Sequence, residues 1–318
     1  MNGTTPRIEI IAPFQAAFEW MKGVLFRPFD IAKWLTIAFA AFISGNLGGG
    51  GGNFGRGLGR LGDGDWKYHA TRQGDFGTHW NFTPWLIAAA VGLVVIALAL
   101  AIVWMWVSSR GRFIFTDCVV KNRGAIGEPW REYRREGNSY FLFSLAVAAA
   151  MIVLLFITVM AIVLPLGLFS GESKVTAASG SLLVILLIVF GLVWLAIVLF
   201  WGMVWHFMVP VMYRRRCSAR EAFVDVARLI SHNPGPFIVF LLFMIGLTLG
   251  VAVIGTMVAC LTCCIGGLPY ISTVLLLPAI VWLAAFRLLF LRQFGDQYDV
   301  WSSAATPTTL PATGATPT

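Results

Sequence analysis

Charge is scarce in this sequence, and its absence is concentrated in long stretches. Asp, Glu, Lys and Arg make up 12% of the 318 residues, against 58% hydrophobic residues. A soluble chain of this length needs far more polar surface to cover its core. No charged residue occurs between Asp75 and Arg110, between Glu136 and Glu172, between Lys174 and Arg214, or between Arg228 and Arg287. About 20 apolar residues cross a bilayer. The last gap, 229 to 286, holds 58 residues, enough for two crossings joined by the turn Cys263-Cys264-Ile265-Gly266-Gly267-Leu268-Pro269. These gaps exclude a soluble globular protein and predict an integral membrane protein.

Other absences exclude chemistry. None of the predicted spans has a central Asp, Glu, Lys or Arg, the usual mark of an ion or proton pathway, which argues against a proton-coupled pump. The five glycines from Gly48 to Gly52 are not followed by Gly-Lys-Ser/Thr, so they form no P-loop and read as a flexible linker. The five cysteines, Cys118, Cys217, Cys260, Cys263 and Cys264, make no disulfide framework. Cys260, Cys263 and Cys264 form a Cys-x-x-Cys-Cys cluster without a second cluster or a nearby histidine, so close packing at a helix turn is favoured over a metal or redox site. His69, Asp75 and His79 lack ligand spacing. No nucleophile–base pair, metal cluster or pair of carboxylates falls into a common pocket. The expectation is therefore no enzyme, no metal and no cofactor.

What is present is helical periodicity. The unit from Arg214 to Phe240 is a basic cluster, an amphipathic helix, a Pro/Gly break and an apolar run. Ser218 and Glu221 make a capping box. Ala222, Phe223, Val226, Leu229 and Ile230 then share one face, with Glu221, Asp225 and Arg228 opposite. Asn233-Pro234-Gly235-Pro236 stops the helix, since proline lacks the N–H and restricts the residue before it. Flanked by apolar runs, this helix suits the membrane surface. A similar stripe, Phe14, Ala17, Phe18, Met21 and Leu25, predicts a first surface helix over 14–27, ended by Arg27-Pro28.

The predicted fold class is an all-α, polytopic membrane protein. Six spans are expected, at about 31–47, 85–107, 140–169, 182–207, 237–261 and 270–290, within one transmembrane domain, 1–301. Residues 302–318 form a Thr/Pro/Ala-rich tail, expected to be disordered. Its Leu310-Pro311-Ala312-Thr313-Gly314 matches a sortase sorting motif, but no apolar span and basic tail follow, so the match reads as coincidence. The charged loop 110–136 echoes the opening unit. Phe115, Val119-Val120, Arg123, Glu128, Trp130, Glu132, Asn138 and Phe141 match Phe207, Val211-Met212, Arg215, Glu221, Phe223, Asp225, Asn233 and Phe237 in order. With a fainter copy at Ala17-Phe18 and Pro28, the pattern implies three repeats of one surface helix and two spans.

Val209-Pro210-Val211-Met212, Ala222-Phe223 and Asn233-Pro234 give the chain a resemblance over about residues 14–294. It resembles a broad group of uncharacterised bacterial six-span membrane proteins, themselves similar to the membrane domain of glycerophosphoryl diester phosphodiesterases. In those enzymes catalysis belongs to a separate soluble domain. The resemblance therefore implies architecture, and no catalytic residue carries over.

The basic residues predict orientation. With six spans, eighteen Lys and Arg would lie on one side and five on the other. The positive-inside rule then puts both termini in the cytoplasm, in the cell's inner membrane. The candidate site residues lie on that side. Arg214, Arg215, Arg216 and Arg220 are a candidate seat for anionic lipid headgroups, or simply the residues that fix orientation. His206, beside Trp205, could gate or bind a headgroup; an interfacial anchor is the favoured reading. Gly246 and Gly250 make a Gly-x-x-x-Gly suited to close helix packing, within the chain or with another copy. The expected partners are membrane lipids, anionic lipids included, and a protein partner or second copy, with no nucleic acid. The leading expectation of function is a non-catalytic scaffold that organises lipid or a partner. The alternative is a transporter component with its path between the repeats.

Overall fold

The computed structural model describes residues 8–45, 84–163, 177–261 and 268–302. Among these the fold is all-α. Its helices are α1 Ile11–Phe26, α2 Ile31–Ser44, α3 Pro84–Val120, α4 Gly127–Glu132 and α5 Arg134–Val163, followed by α6 Ala177–Arg215, α7 Ala219–His232, α8 Pro234–Leu261, α9 Pro269–Leu275 and α10 Leu277–Arg292. A 3-10 turn, Asp296–Tyr298, closes the described chain. The glycine run, Arg56, Arg60, Lys67, His69, Arg72, Asp75, His79, Pro165, Lys174, Cys263, Cys264 and the tail from 303 onward lie outside the described residues.

Four helices, α3, α5, α6 and α8, are long and apolar enough to cross a membrane. The six-span count is not reproduced. Helix α2 stops after 14 residues because Gly45 takes a left-handed φ of 69° and caps the carbonyls of Ala41 and Phe42. At 1.5 Å per residue α2 is about 21 Å long, short of the hydrocarbon thickness. The sixth segment breaks into α9 and α10 at Leu276, just before Pro278, whose ring cannot follow a regular preceding turn.

The charged loop expected from Arg110 is corrected as well. Helix α3 continues through it to Val120. Phe113, Ile114, Phe115, Cys118 and Val119 bury there, so packing extends the helix past the membrane-like stretch. It ends where Asn122 adopts φ 52°, and α6 ends likewise at Arg216, φ 52°. Pro210, expected beyond the fourth span, lies inside α6.

Helix α7 begins as the sequence implies. Ser218 Oγ accepts from the Glu221 N–H at 3.4 Å, and Glu221 Oε2 accepts from the Ser218 N–H at 3.3 Å. Its apolar face, however, does not lie free for lipid. Ala219, Ala222, Val226 and Ile230 are buried, and the Phe223 ring lies 5.5 Å from Phe143 and 5.4 Å from Trp201. Helix α1 also rests on protein, burying Ala17, Met21, Val24 and Leu25, while Trp282 Nε1 donates to the Phe14 carbonyl at 3.2 Å.

The core sits at one end of the long helices, here called the base. Phe207 lies 5.4 Å from Phe237 and 5.2 Å from Phe240, and Phe240 stacks on Phe290 at 4.3 Å. Each such side chain contributes about 1.5–3 kcal/mol by leaving water. The far halves of the long helices are different. Val94, Leu98, Phe156, Ile188, Leu195 and Leu249 are all exposed apolar residues. Trp194 Nε1 donates to Thr158 Oγ1 at 3.3 Å and ties α6 to α5 there.

Candidate functional site

Two polar clusters stand at the base. The first is built on Asp117, in the last turn of α3. Its side chain is fully buried. Burying a carboxylate is costly unless it is paired and hydrogen-bonded, and Asp117 is both. Tyr213 of α6 donates its hydroxyl to Oδ1 at 3.0 Å, and Lys121 Nζ sits 2.7 Å from the same atom. Arg123 donates two hydrogen bonds to Oδ2, at 3.2 and 3.0 Å, and a third to Glu128 at 2.7 Å. Arg216 pairs with Glu132 and lies 3.7 Å from Glu136 Oε1. Its guanidinium covers the Tyr133 ring at 3.9 Å, and that ring stacks on Tyr213 at 4.9 Å.

This network joins α3, α4, α5 and α6. Four carboxylates, Asp117, Glu128, Glu132 and Glu136, face three cations, Lys121, Arg123 and Arg216. The balance is slightly negative, so the network is no seat for an anion; it clamps helix ends together. Burial pushes the Tyr133 phenol up to about 12, against the pull of the Tyr213 hydrogen bond and the Arg216 charge. Burial works against the Arg216 charge too, but Tyr133 and Glu132 outweigh it and hold that group above its ordinary value.

The second cluster faces outward. Arg112 of α3 donates to the Tyr140 hydroxyl of α5. Arg287 of α10 lies 2.9 Å from His206 Nδ1 on α6. Arg112 lies 6.0 Å from the centre of the Trp205 ring. Five residues separate Arg112 from Asp117, about 7.5 Å along the helix. The cluster therefore sits between the clamped base and the exposed apolar halves.

The residues predicted from sequence are only partly brought together. Arg215 pairs with Asp225, and Arg216 belongs to the clamp, so both charges are offset by carboxylates. Arg214 is half-buried, with its Nε enclosed and unpartnered, and Arg220 is exposed. A Cβ added at Gly246 or Gly250 would meet nothing within 4 Å, so these glycines are not packed on another described helix of this chain. Among the described residues no group of three His, Cys, Asp or Glu is placed to hold a metal ion. Asp117 escaped the sequence reading. Its signal was local: a lone acid inside the apolar run Phe113–Val120, with Lys121 four residues on.

The comparison with family models matches residues 9–300 to a family of unknown function, DUF7544. The chain belongs to this family. No curated protein and no solved structure matches it. As a DUF7544 member the chain is a polytopic, largely helical membrane protein. The likeness to the membrane domain of glycerophosphoryl diester phosphodiesterases draws nothing from this match.

Proposed function

We propose that this protein is a non-catalytic, membrane-embedded interaction protein, whose base holds apolar helices out for lipid or a membrane partner. One observation carries this reading. In the most apolar stretches of α3 and α6 no residue is buried, and in those of α5 and α8 only 11% are. A rigid polar base with far halves open to their surroundings suits a scaffold. A transporter needs polar side chains along a path between helices, and among the described residues the polar clusters gather at the base. Arg214 and Arg220 remain candidates for headgroup contact beside the paired Arg215 and Arg216.

The test has two arms. Vesicles containing only this protein are expected to pass no more solute than empty vesicles. Mild-detergent preparations are expected to retain lipid or a membrane protein, read by mass spectrometry. Reproducible solute flux would favour the transporter reading instead.

In this reading the base faces the cytoplasm, with both chain ends on that side of the inner membrane. The Lys and Arg between α3 and α5 and between α6 and α8 support the orientation, and the pairing of Glu9 with Gln293, whose side chain accepts from and donates to the Glu9 backbone at 2.9 and 2.8 Å, keeps the two ends together at the base. The threefold repeat is part of the same proposal. Short helices α4 and α7 each precede a longer apolar one, α5 and α8, and α1 precedes the apolar but shorter α2. Reporter fusions at Gly127 and Asn233 are expected to report the cytoplasm. An outward signal at either overturns the orientation.

A further inference from the structure

Arg110 of α3 is a buried cation that meets no opposite charge among the described residues. It is 7% exposed, and its Nε is enclosed without a partner. Its guanidinium lies 4.3 Å from the Trp106 ring and 5.1 Å from the Trp130 ring, and Nη2 donates to Asn138 Oδ1 at 2.9 Å. All three partners are neutral. The carboxylates of α4 and the start of α5 are turned to the clamp instead: Glu128 to Arg123, and Glu132 and Glu136 to Arg216. A charge buried without a counter-charge is costly. Arg134 adds to the cost, because it stands close enough to Arg110 for the two to repel. Positive charges gathered this way are relieved by an anion.

The corner where α3, α4 and α5 meet offers the donors to receive it. Arg134, at the start of α5, is exposed and pairs with no carboxylate among the described residues. Asn138 stands one turn further along the same face of α5. Arginine can only donate, so Asn138 turns its Oδ1 to Arg110. Its Nδ2 is left with no acceptor among the described residues. Arg110 lies deeper than both, where little water screens its charge. What flanks the corner is apolar. Val103 and Ile96, seven and fourteen residues before Arg110 on its face of α3, are 56% and 63% exposed. Leu145, eleven residues after Arg134 on its face of α5, is exposed as well. Trp106 and Trp130, edge to face at 6.0 Å, are rings that suit the boundary between headgroups and acyl chains.

We propose that Arg134 and Asn138, backed by Arg110, seat the phosphate of an anionic membrane lipid, whose acyl chains lie along the exposed faces of α3 and α5. The Arg134 guanidinium matches phosphate oxygens with two parallel hydrogen bonds, and the Asn138 amide adds a single one. The depth favours a lipid over a soluble phosphate, because the seat is entered beside apolar helix surface. This inference rests on the lipid-interaction reading above, and it names the site and the headgroup class.

The full-length protein is reconstituted in nanodiscs of phosphatidylcholine with increasing phosphatidylglycerol, and bound lipid is counted by native mass spectrometry. The wild type is expected to retain phosphatidylglycerol about tenfold more tightly than phosphatidylcholine. Arg134→Gln, at an exposed position, is expected to lower that preference about fivefold, while Arg228→Gln, an exposed arginine on α7, leaves it unchanged. Asn138→Asp separates a lipid seat from a merely structural arginine. It gives Arg110 a carboxylate, so the thermal melt is expected to hold or rise, and it repels the phosphate, so the preference is expected to vanish. Wild-type retention by both Arg134→Gln and Asn138→Asp overturns the site, and the broader lipid reading survives. An equal loss in Arg228→Gln also overturns it, since net charge rather than a seat would then set retention. Retention of neither lipid by the wild type overturns the broader reading. Inorganic phosphate at millimolar concentration is expected not to displace the lipid; full displacement would overturn the lipid assignment in favour of a soluble anion. If Asn138→Asp does not fold, Arg134→Gln decides alone, with no change overturning the site.

Discussion

Replacing Asp117 with alanine is expected to cost the fold about 3 kcal/mol. The reasoning starts from what the truncation leaves behind. Tyr213 loses the acceptor for a buried hydroxyl, at about 1–3 kcal/mol. Lys121 and Arg123 then face each other around a vacated carboxylate, with side chains 29% and 31% exposed, so water recovers part of the loss. Asp117→Asn keeps the shape and one acceptor and should lose less, about 1–2 kcal/mol. Lys121→Ala, at a partly exposed position, should cost under about 1 kcal/mol. Thermal melts in a single detergent rank the three. If Asp117→Ala melts with the wild type, the cluster does not clamp the helix ends.

Gly111→Ala is expected to destabilise by about 1–3 kcal/mol, and Gly111→Val by more. A Cβ at Gly111 would lie 2.5 Å from Ile43 Cγ2, and 3.0 Å from both the Ile43 carbonyl carbon and the Ser44 nitrogen. The side-chain methyl can rotate away. The two backbone atoms cannot, so α2 must shift off α3. The contrast is with Gly246 and Gly250, where a Cβ meets nothing. Alanine there should be neutral or stabilising by up to about 1 kcal/mol through helix propensity. A wild-type melt for Gly111→Ala would mean α2 is not seated on α3. A large loss at Gly246→Ala would mean a second copy or another membrane protein packs there.

Much of the fold was legible from local signals. The capping box at Ser218 and the break at Pro234 lie within a few residues of what they control, and both are found. Helix α8 occupies 234–261 where 237–261 was expected. What was illegible depends on distant partners. Arg110 looked like the end of a span because charge usually marks the membrane boundary. It is buried instead, its guanidinium 4.3 Å from the Trp106 ring and 2.9 Å from Asn138 Oδ1, and α3 runs on. Asp117 is held by a tyrosine 96 positions away, and His206 meets an arginine 81 positions away. No window along the chain contains both members of either pair. The amphipathic stripes of α1 and α7 were visible, but a stripe does not say whether lipid or protein will cover it.

The seat of α1 on α10 sets an order in time. The hydrogen bond between Phe14 and Trp282 joins residues 268 positions apart. At about 5–20 residues per second of synthesis, the first of these waits roughly 15 to 50 seconds for the second. During that interval the stripe of Ala17, Met21 and Leu25 has been made and the surface it finally covers has not. The bilayer boundary is the nearest apolar phase that can hold it. The helix that the sequence marks for the membrane surface thus reaches its place on the base only once the ribosome has finished α10.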